Sequence, residues 1–133
     1  MSDYNDNIPN HCLPLSGLGG DHTIYRAVGK TPDVTSENCK SHAELGKRCN
    51  LNCCNAWGLS VWLSENDVNH ARGLFKFLAR QYVVRGMIKE NQGCLKHTPS
   101  NPQPNHYTFW KKTSETILLN SQVTHSPAKG NRS

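Results

Sequence analysis

The clearest pattern of apolar and polar positions in the chain runs from residue 65 to residue 85 and predicts an amphipathic helix. At about 100° per residue, its apolar side chains fall on one face: Val68, Ala71, Phe75, Leu78, Ala79 and Tyr82. Ser64 is a good N-cap because its hydroxyl can accept from a free backbone N–H, and Gly86 can end the helix. Met87 and Ile88 are expected to continue as extended chain.

Other segments predict strands and turns. Residues 22–28 are rich in β-forming residues and predict a short strand, followed by a turn at 31–33. Residues 94–98 and 106–111 predict a β-hairpin, because the proline-rich loop between them cannot be helical. Residues 36–50 have a helical pattern. Residues 116–123 could form a last short element.

The fold class that follows is α+β and mainly helical. A chain of 133 residues is about one domain long. We expect an irregular N-terminal arm over residues 1–21, one domain over 22–123 and a disordered tail over 124–133.

The order of these elements over residues 36–112 resembles winged helix-turn-helix DNA-binding domains. The resemblance rests on helices, a long helix closed by Gly86, and a hairpin ending in Tyr107-Thr108-Phe109-Trp110-Lys111. It implies a winged-helix-like fold with a C-terminal hairpin wing and an N-terminal strand or arm. It also implies that a recognition helix reads the major groove while the wing lies along adjacent DNA.

Two registers of the helix-turn-helix are open. In the first, Asn50 lies at the turn and the recognition helix follows Asn52. In the second, Ser64 caps the recognition helix, and residues 65–85 present three cations and an amide beside the apolar face. Arginine and lysine suit guanine edges and phosphates, and asparagine suits adenine, so the second register is favoured although its helix is long.

Charge supports a polyanionic partner. The formal net charge is +5 and the mean hydropathy is −0.67. Residues 39–112 carry +7, whereas residues 1–38 carry −3. The predicted duplex DNA contacts lie on the helix and the wing: Asn69, Arg72, Lys76, Arg80, Lys96, Asn101, Gln103, Lys111 and Lys112. A solvated charged face is the plain alternative.

Six cysteines suggest either core thiols or a metal site. The start of the chain has no basic or apolar run that would indicate a secretory signal, so we expect a cytoplasmic protein without a disulfide framework. Cys39 with His42, and Cys94 with His97, have the short spacing of zinc ligands and could hold a structural zinc. We expect no other cofactor.

We expect the chain to be a small DNA-binding protein that is not an enzyme, such as a transcriptional regulator of a bacterium, phage or plasmid. The chain has no catalytic motif and no apolar run long enough for a membrane span. The alternative is a protein–protein interaction module, such as a small inhibitor of a nucleic-acid-handling protein. Phe77 and Val84 would then form its interface or a homodimer contact, because both project away from the core face of the predicted helix.

Overall fold

The computed structural model of the chain describes residues 3–128. It contains two antiparallel sheets of three strands each. The first sheet has the order β1 (His22–Gly29), β3 (Tyr82–Ile88), β6 (Gln122–His125), and the second has the order β2 (Leu59–Val61), β5 (Tyr107–Lys111), β4 (Gly93–His97). Two helices, α1 (Glu65–Leu74) and α2 (Lys76–Ala79), connect β2 to β3.

The expected fold class is wrong, because the described chain is mostly β rather than mainly helical. Apart from α1 and α2, its helical segments are short 3₁₀ turns at Asn10–Cys12, Glu37–Cys39, Cys54–Trp57 and Glu90–Gln92. The helix expected over residues 36–50 is a 3₁₀ turn followed by irregular turns. The helix-turn-helix that the winged-helix resemblance implies is therefore not formed.

The long helix predicted over residues 65–85 ends at Leu74. Its start is confirmed: Ser64 Oγ accepts from the Asp67 N–H at 3.2 Å. Phe75 is extended, with φ −124° and ψ 112°, and breaks the helix before the short α2. The periodicity misled because Tyr82, which continues the helical spacing of the apolar stripe, is the first residue of a strand over residues 82–88.

β3 is the central strand of the first sheet, and it is covered on both faces at Val83 and Val84, whereas Arg85 and Met87 are exposed. Val84 packs in a core cluster with Ile24 and Phe109, which lies on the second sheet. Val83 packs in another cluster with Val68 and the other core side chains of α1. A strand buried on both faces shows an apolar run rather than strict alternation, which periodicity cannot distinguish from a buried helix.

Two sequence predictions are confirmed. Residues 22–28 lie within β1, which pairs with β3 from His22↔Ile88 to Gly29↔Tyr82. The predicted hairpin is β4 and β5, which are antiparallel with Leu95 opposite Phe109. Gly93 is required there, because a Cβ would lie 2.2 Å from the Trp110 carbonyl oxygen.

A disulfide joins Cys12 to Cys54, so the expectation of a chain without disulfides is wrong. The bond ties the N-terminal segment to the 3₁₀ turn Cys54–Trp57. The same turn is held from the other side, because Trp110 Nε1 donates to the Cys54 carbonyl at 3.0 Å. The segment 54–58, which borders the site described below, is therefore anchored at Cys54 by both the disulfide and this hydrogen bond.

The ends of the described chain are packed onto the sheets. Leu18 forms a β-bridge with Leu95. β6 extends to His125, so residues 124 and 125 belong to the first sheet rather than to the expected tail. The predicted tail residues 129–133 lie outside the described part. No helix among the described residues has the length and apolar character needed to cross a membrane.

Candidate ligand-binding cleft

A cleft opens where the two sheets separate. Their edge strands β1 and β2 share one bridge, in which Tyr25 and Trp62 exchange N–H···O bonds of 2.7 and 3.0 Å. Beside that bridge, residues of β1 and β2 and of the segments 37–47 and 55–58 line a cavity of about 510 Å³. This volume falls within the range of about 300–1,000 Å³ typical of small-molecule sites.

Side chains, rather than a neighbouring strand, complete the edge of β1 at the cleft. A register shift between Ala27 and Gly29 marks a bulge, and Gly29 has a left-handed φ of +95°. Asn38 donates its side-chain amide to the Val28 carbonyl at 2.8 Å. Gln81 accepts from the Gly29 N–H at 3.0 Å. At the bulge, the Val28 carbonyl and the Gly29 N–H therefore have hydrogen-bond partners, while no neighbouring strand of the described chain covers this edge. Bulges often occur beside binding sites.

Arg26 projects from β1 into this cleft. Its Nε donates to the Asn38 carbonyl at 3.0 Å, and its Nη1 donates to the Ser60 carbonyl at 2.9 Å. Burial lowers the pKa of Arg26 to about 10, and the nearby Cys39 opposes part of this effect. Among the described residues, no carboxylate forms an ion pair with Arg26, and its Nη2 has no protein acceptor. Because no fully buried side-chain nitrogen among the described residues lacks a partner, Nη2 keeps some solvent exposure.

His106 and Ser60 form a hydrogen-bonded pair in the same cleft. His106 Nε2 lies 3.0 Å from Ser60 Oγ, and its Nδ1 lies 2.9 Å from Thr98 Oγ1 and 3.1 Å from the Thr98 carbonyl oxygen. Because a carbonyl only accepts, the proton of a neutral ring belongs on Nδ1, and Nε2 accepts from Ser60. Burial and His97 lower the pKa of His106, while the hydrogen bond to Thr98 opposes them.

The charged side chains lining the cleft are mainly cations. The cations are Arg26, Lys40 and Lys47. The carboxylate in the lining is that of Glu37, which lies 3.6 Å from Lys40 Nζ. Burial lowers the pKa of His42, and the charges of Lys47 and Arg26 lower it further. The cleft therefore has a surplus of positive charge close to neutral imidazoles.

An aromatic side chain lies at the rim. Phe77 is 63% exposed although it belongs to the cleft lining, and its ring centroid is 5.6 Å from that of Phe75. A second cavity of about 300 Å³ lies beside Trp62. Its polar groups largely bond to each other: Asn105 donates to Asp67 at 3.0 Å, and His70 lies 3.0 Å from the Pro102 carbonyl. The larger cleft is therefore the better candidate site.

Comparisons with known proteins do not place the chain in a family. No family model matches it, and no solved structure matches it. It is similar to the hexon protein of Human adenovirus C serotype 1, with 25% identity over 111 residues. The match covers 80% of this chain and 21% of the hexon protein, so the chain spans about a fifth of that relative's length.

Several residues predicted to contact DNA are used inside the protein. Arg72 donates to four backbone carbonyls, at distances of 2.8–3.2 Å. Lys111 Nζ donates to three carbonyls, and Lys112 lies 3.7 Å from Asp3. Asn69 Oδ1 lies 2.7 Å from His125 Nε2. These side chains join segments of the fold, whatever else they contact.

The remaining predicted DNA contacts do not share one helix face. Lys76 begins α2, and Arg80 follows its end, so neither continues the stripe from α1. Lys76, Arg80, Lys96 and Asn101 are exposed. Gln103 lines the cleft, where it accepts from Trp62 Nε1 at 3.0 Å. DNA contact by these residues stays a prediction.

The four predicted zinc ligands are not brought together. Cys39 and Cys94 are buried, and burial raises the pKa of both thiols. His42 lines the cleft, whereas His97 packs against Tyr107 at 5.0 Å. Within the described chain, the ligand atoms that do converge to within 4.8 Å of one another are those of His11, Cys12 and Cys54. Both of those sulfurs are in the disulfide.

The two predicted interface residues differ. Phe77 is exposed, as expected. Val84 is only 1% exposed, because it lies on the central strand and not on a helix, so its assignment to an interface is wrong.

Arg26, Ser60 and His106 were not predicted as a site from the sequence. One signal was available: Arg26 is the single lysine or arginine in the strand predicted over residues 22–28. The other two are separated from it by 34 and 80 positions, and no local spacing relates them.

Proposed function

We propose that this chain binds a phosphate-bearing small molecule of nucleotide size in the cleft between its two sheets. The observation that carries the proposal is Arg26, a partly buried cation that lines the cleft and has no carboxylate partner, and no acceptor for Nη2, among the described residues. Desolvating a charge without a counter-charge is unfavourable, and a bound anion would offset that cost. A guanidinium presents paired N–H donors that match phosphate oxygens.

The rest of the cleft fits such a ligand. Lys47 adds positive charge to that of Arg26, and Lys40 offsets the charge of the Glu37 carboxylate. At the rim, the exposed Phe77 ring offers a surface on which a planar base can stack. The cleft thus provides donors for an anionic group at one place and an apolar face at another.

Two earlier expectations remain as further proposals. Binding to duplex DNA, and a role as a transcriptional regulator, would use the exposed Lys76, Arg80 and Lys96. A protein partner or a homodimer would use the exposed Phe77. The cleft is favoured over both because it joins a cation without a carboxylate partner among the described residues to a concave surface. Two of the cations predicted to contact DNA, Arg72 and Lys111, are instead engaged by several backbone carbonyls each. A cytoplasmic location also stays a prediction.

The test is calorimetric titration of the protein with inorganic phosphate, AMP, ADP and adenosine. We expect ADP and AMP to bind and adenosine to bind much more weakly. A hydrogen bond to a charged group contributes about 1.5–3 kcal/mol, so Arg26→Met should weaken AMP binding roughly 10- to 100-fold.

Arg80→Met is the matched control, because it removes the same charge from an exposed position outside the cleft. It should leave AMP affinity unchanged. A short DNA duplex titrated in parallel tests the competing proposal, since DNA binding should respond to Arg80→Met. Failure of all phosphate ligands to bind, or equal AMP affinity of Arg26→Met and the unmodified protein, would refute the cleft proposal.

A further inference from the structure

We infer that Ser60 is a nucleophile activated by His106, and that the cleft hydrolyses a phosphate ester bound at Arg26. This inference rests on the proposed function for its substrate class. It departs from the expectation that the chain is not an enzyme.

Ser60 lies on a strand and lines the cleft. It lies on β2 between Leu59 and Val61, which are 2% and 0% exposed, so strand alternation points its side chain away from the core. Its backbone carbonyl accepts from Arg26 Nη1 at 2.9 Å. The hydroxyl and the guanidinium are therefore anchored to the same residue, and an anion on Arg26 would lie near Ser60 Oγ.

His106 is oriented to act as the base. Its Nε2 is 3.0 Å from Ser60 Oγ, and Thr98 holds the Nδ1 side of the ring at 2.9–3.1 Å. Thr98 is itself fixed, since its Oγ1 lies 2.7 Å from Thr108 Oγ1 on β5. A nucleophile next to a base, with the base oriented by a third group, is the arrangement that activates serine in covalent catalysis.

The chemical steps balance with water as the only co-reactant. Ser60 Oγ transfers its proton to His106 Nε2 as Oγ attacks phosphorus, so an Oγ–P bond forms while the P–O bond to the alcohol breaks. The departing alkoxide takes the proton from His106. Water then gives a proton to His106 and attacks phosphorus, the Oγ–P bond breaks, and Ser60 regains the proton. The products of the hydrolysis are the free alcohol and inorganic phosphate.

The probe for this inference is a fluorophosphonate, a phosphorus electrophile that forms an Oγ–P bond with an activated serine and loses fluoride. Intact-protein and fragment mass spectrometry would measure the rate of labelling and locate the adduct. We expect labelling at Ser60 in the full chain. Ser60→Ala should abolish that adduct, and His106→Gln should slow labelling at least 100-fold, since general bases contribute about 10²–10⁴-fold.

Ser100→Ala is the matched control, because Ser100 is an exposed serine in the hairpin loop and has no basic partner among the described residues. It should not change the labelling of Ser60. Circular dichroism should show that each variant is folded. The labelling rate should also fall in acid as His106 takes up a proton, which a hydrogen bond with a purely structural role would not produce.

Labelling at Ser60 that depends on His106 supports the inference. Labelling that is no faster at Ser60 than at Ser100, or that is unaffected by His106→Gln, overturns it. AMP titration separates this failure from that of the proposed function. Binding of AMP without labelling overturns the nucleophile alone, whereas labelling in a chain that binds no phosphate ligand overturns the phosphate ester as substrate.

Discussion

Replacing Arg26 by methionine should separate ligand binding from folding stability. The substitution keeps an unbranched side chain of similar length and removes the charge. In the unliganded protein, a pKa lowered to about 10 means that carrying this charge costs roughly 3 kcal/mol of folding free energy. The gain from removing it is offset because the partly buried Asn38 carbonyl loses a donor, at about 1–3 kcal/mol. The Ser60 carbonyl is exposed and can accept from water instead.

These opposing contributions are of similar size, so the free energy of unfolding should change by no more than about 2 kcal/mol without ligand. With AMP at 100 times the dissociation constant of the unmodified protein, that protein should gain about 2.7 kcal/mol. If Arg26→Met raises the dissociation constant 10- to 100-fold, the variant should gain only about 0.4–1.4 kcal/mol at the same concentration.

Urea unfolding followed by circular dichroism, with and without AMP, measures both quantities. Arg80→Met again serves as the control and should retain the full ligand-induced gain. Two results would refute the reasoning. A loss of 3 kcal/mol or more without ligand would show that Arg26 mainly holds the fold together, and equal stabilisation of both proteins by AMP would show that the ligand does not contact Arg26.

Three further predictions concern pH, packing and the disulfide. Burial lowers the pKa of His106, so below about pH 6.5 the unfolded chain binds a proton at this residue more readily than the folded chain does. The free energy of unfolding should therefore fall on acidification. His106→Gln should reduce this pH dependence in urea unfolding at pH 5–7. Val84→Asp should cost several kcal/mol or prevent folding, whereas Phe77→Asp should change unfolding by about 0.5 kcal/mol or less; the reverse ranking would contradict the strand assignment of β3. Changing both Cys12 and Cys54 to serine opens a loop with a sequence separation of 42 and should lower stability by about 2–4 kcal/mol in urea, with no change upon adding reductant to the variant.

The parts of the fold that could be predicted are those set by local chemistry. The cap at Ser64, the strand at residues 22–28 and the hairpin around its proline-rich loop each follow from residues that are close in sequence. The prediction of helix beyond Leu74 was wrong because Val83 and Val84 are both buried, one on each face of the central strand. In such a strand the alternation that marks half-buried β structure is absent.

The candidate site could not be predicted for a different reason. It forms beside the Tyr25–Trp62 bridge, and that placement is a property of the sheet arrangement. Arg26, Ser60 and His106 come from three elements. The cationic pattern that was visible along the helix instead marked side chains such as Arg72, which bonds to backbone carbonyls of its own protein.

The most direct test of the ligand-binding cleft is mapping of AMP binding by two-dimensional NMR on ¹⁵N-labelled protein. We expect saturable shifts of the backbone amides of Arg26, Gly29 and Ser60 and of the Arg26 side-chain Nε–H signal, with no shift at Lys96, which is exposed and outside the cleft. Saturable shifts confined to Lys76 and Arg80, or no shift at millimolar AMP, would contradict it.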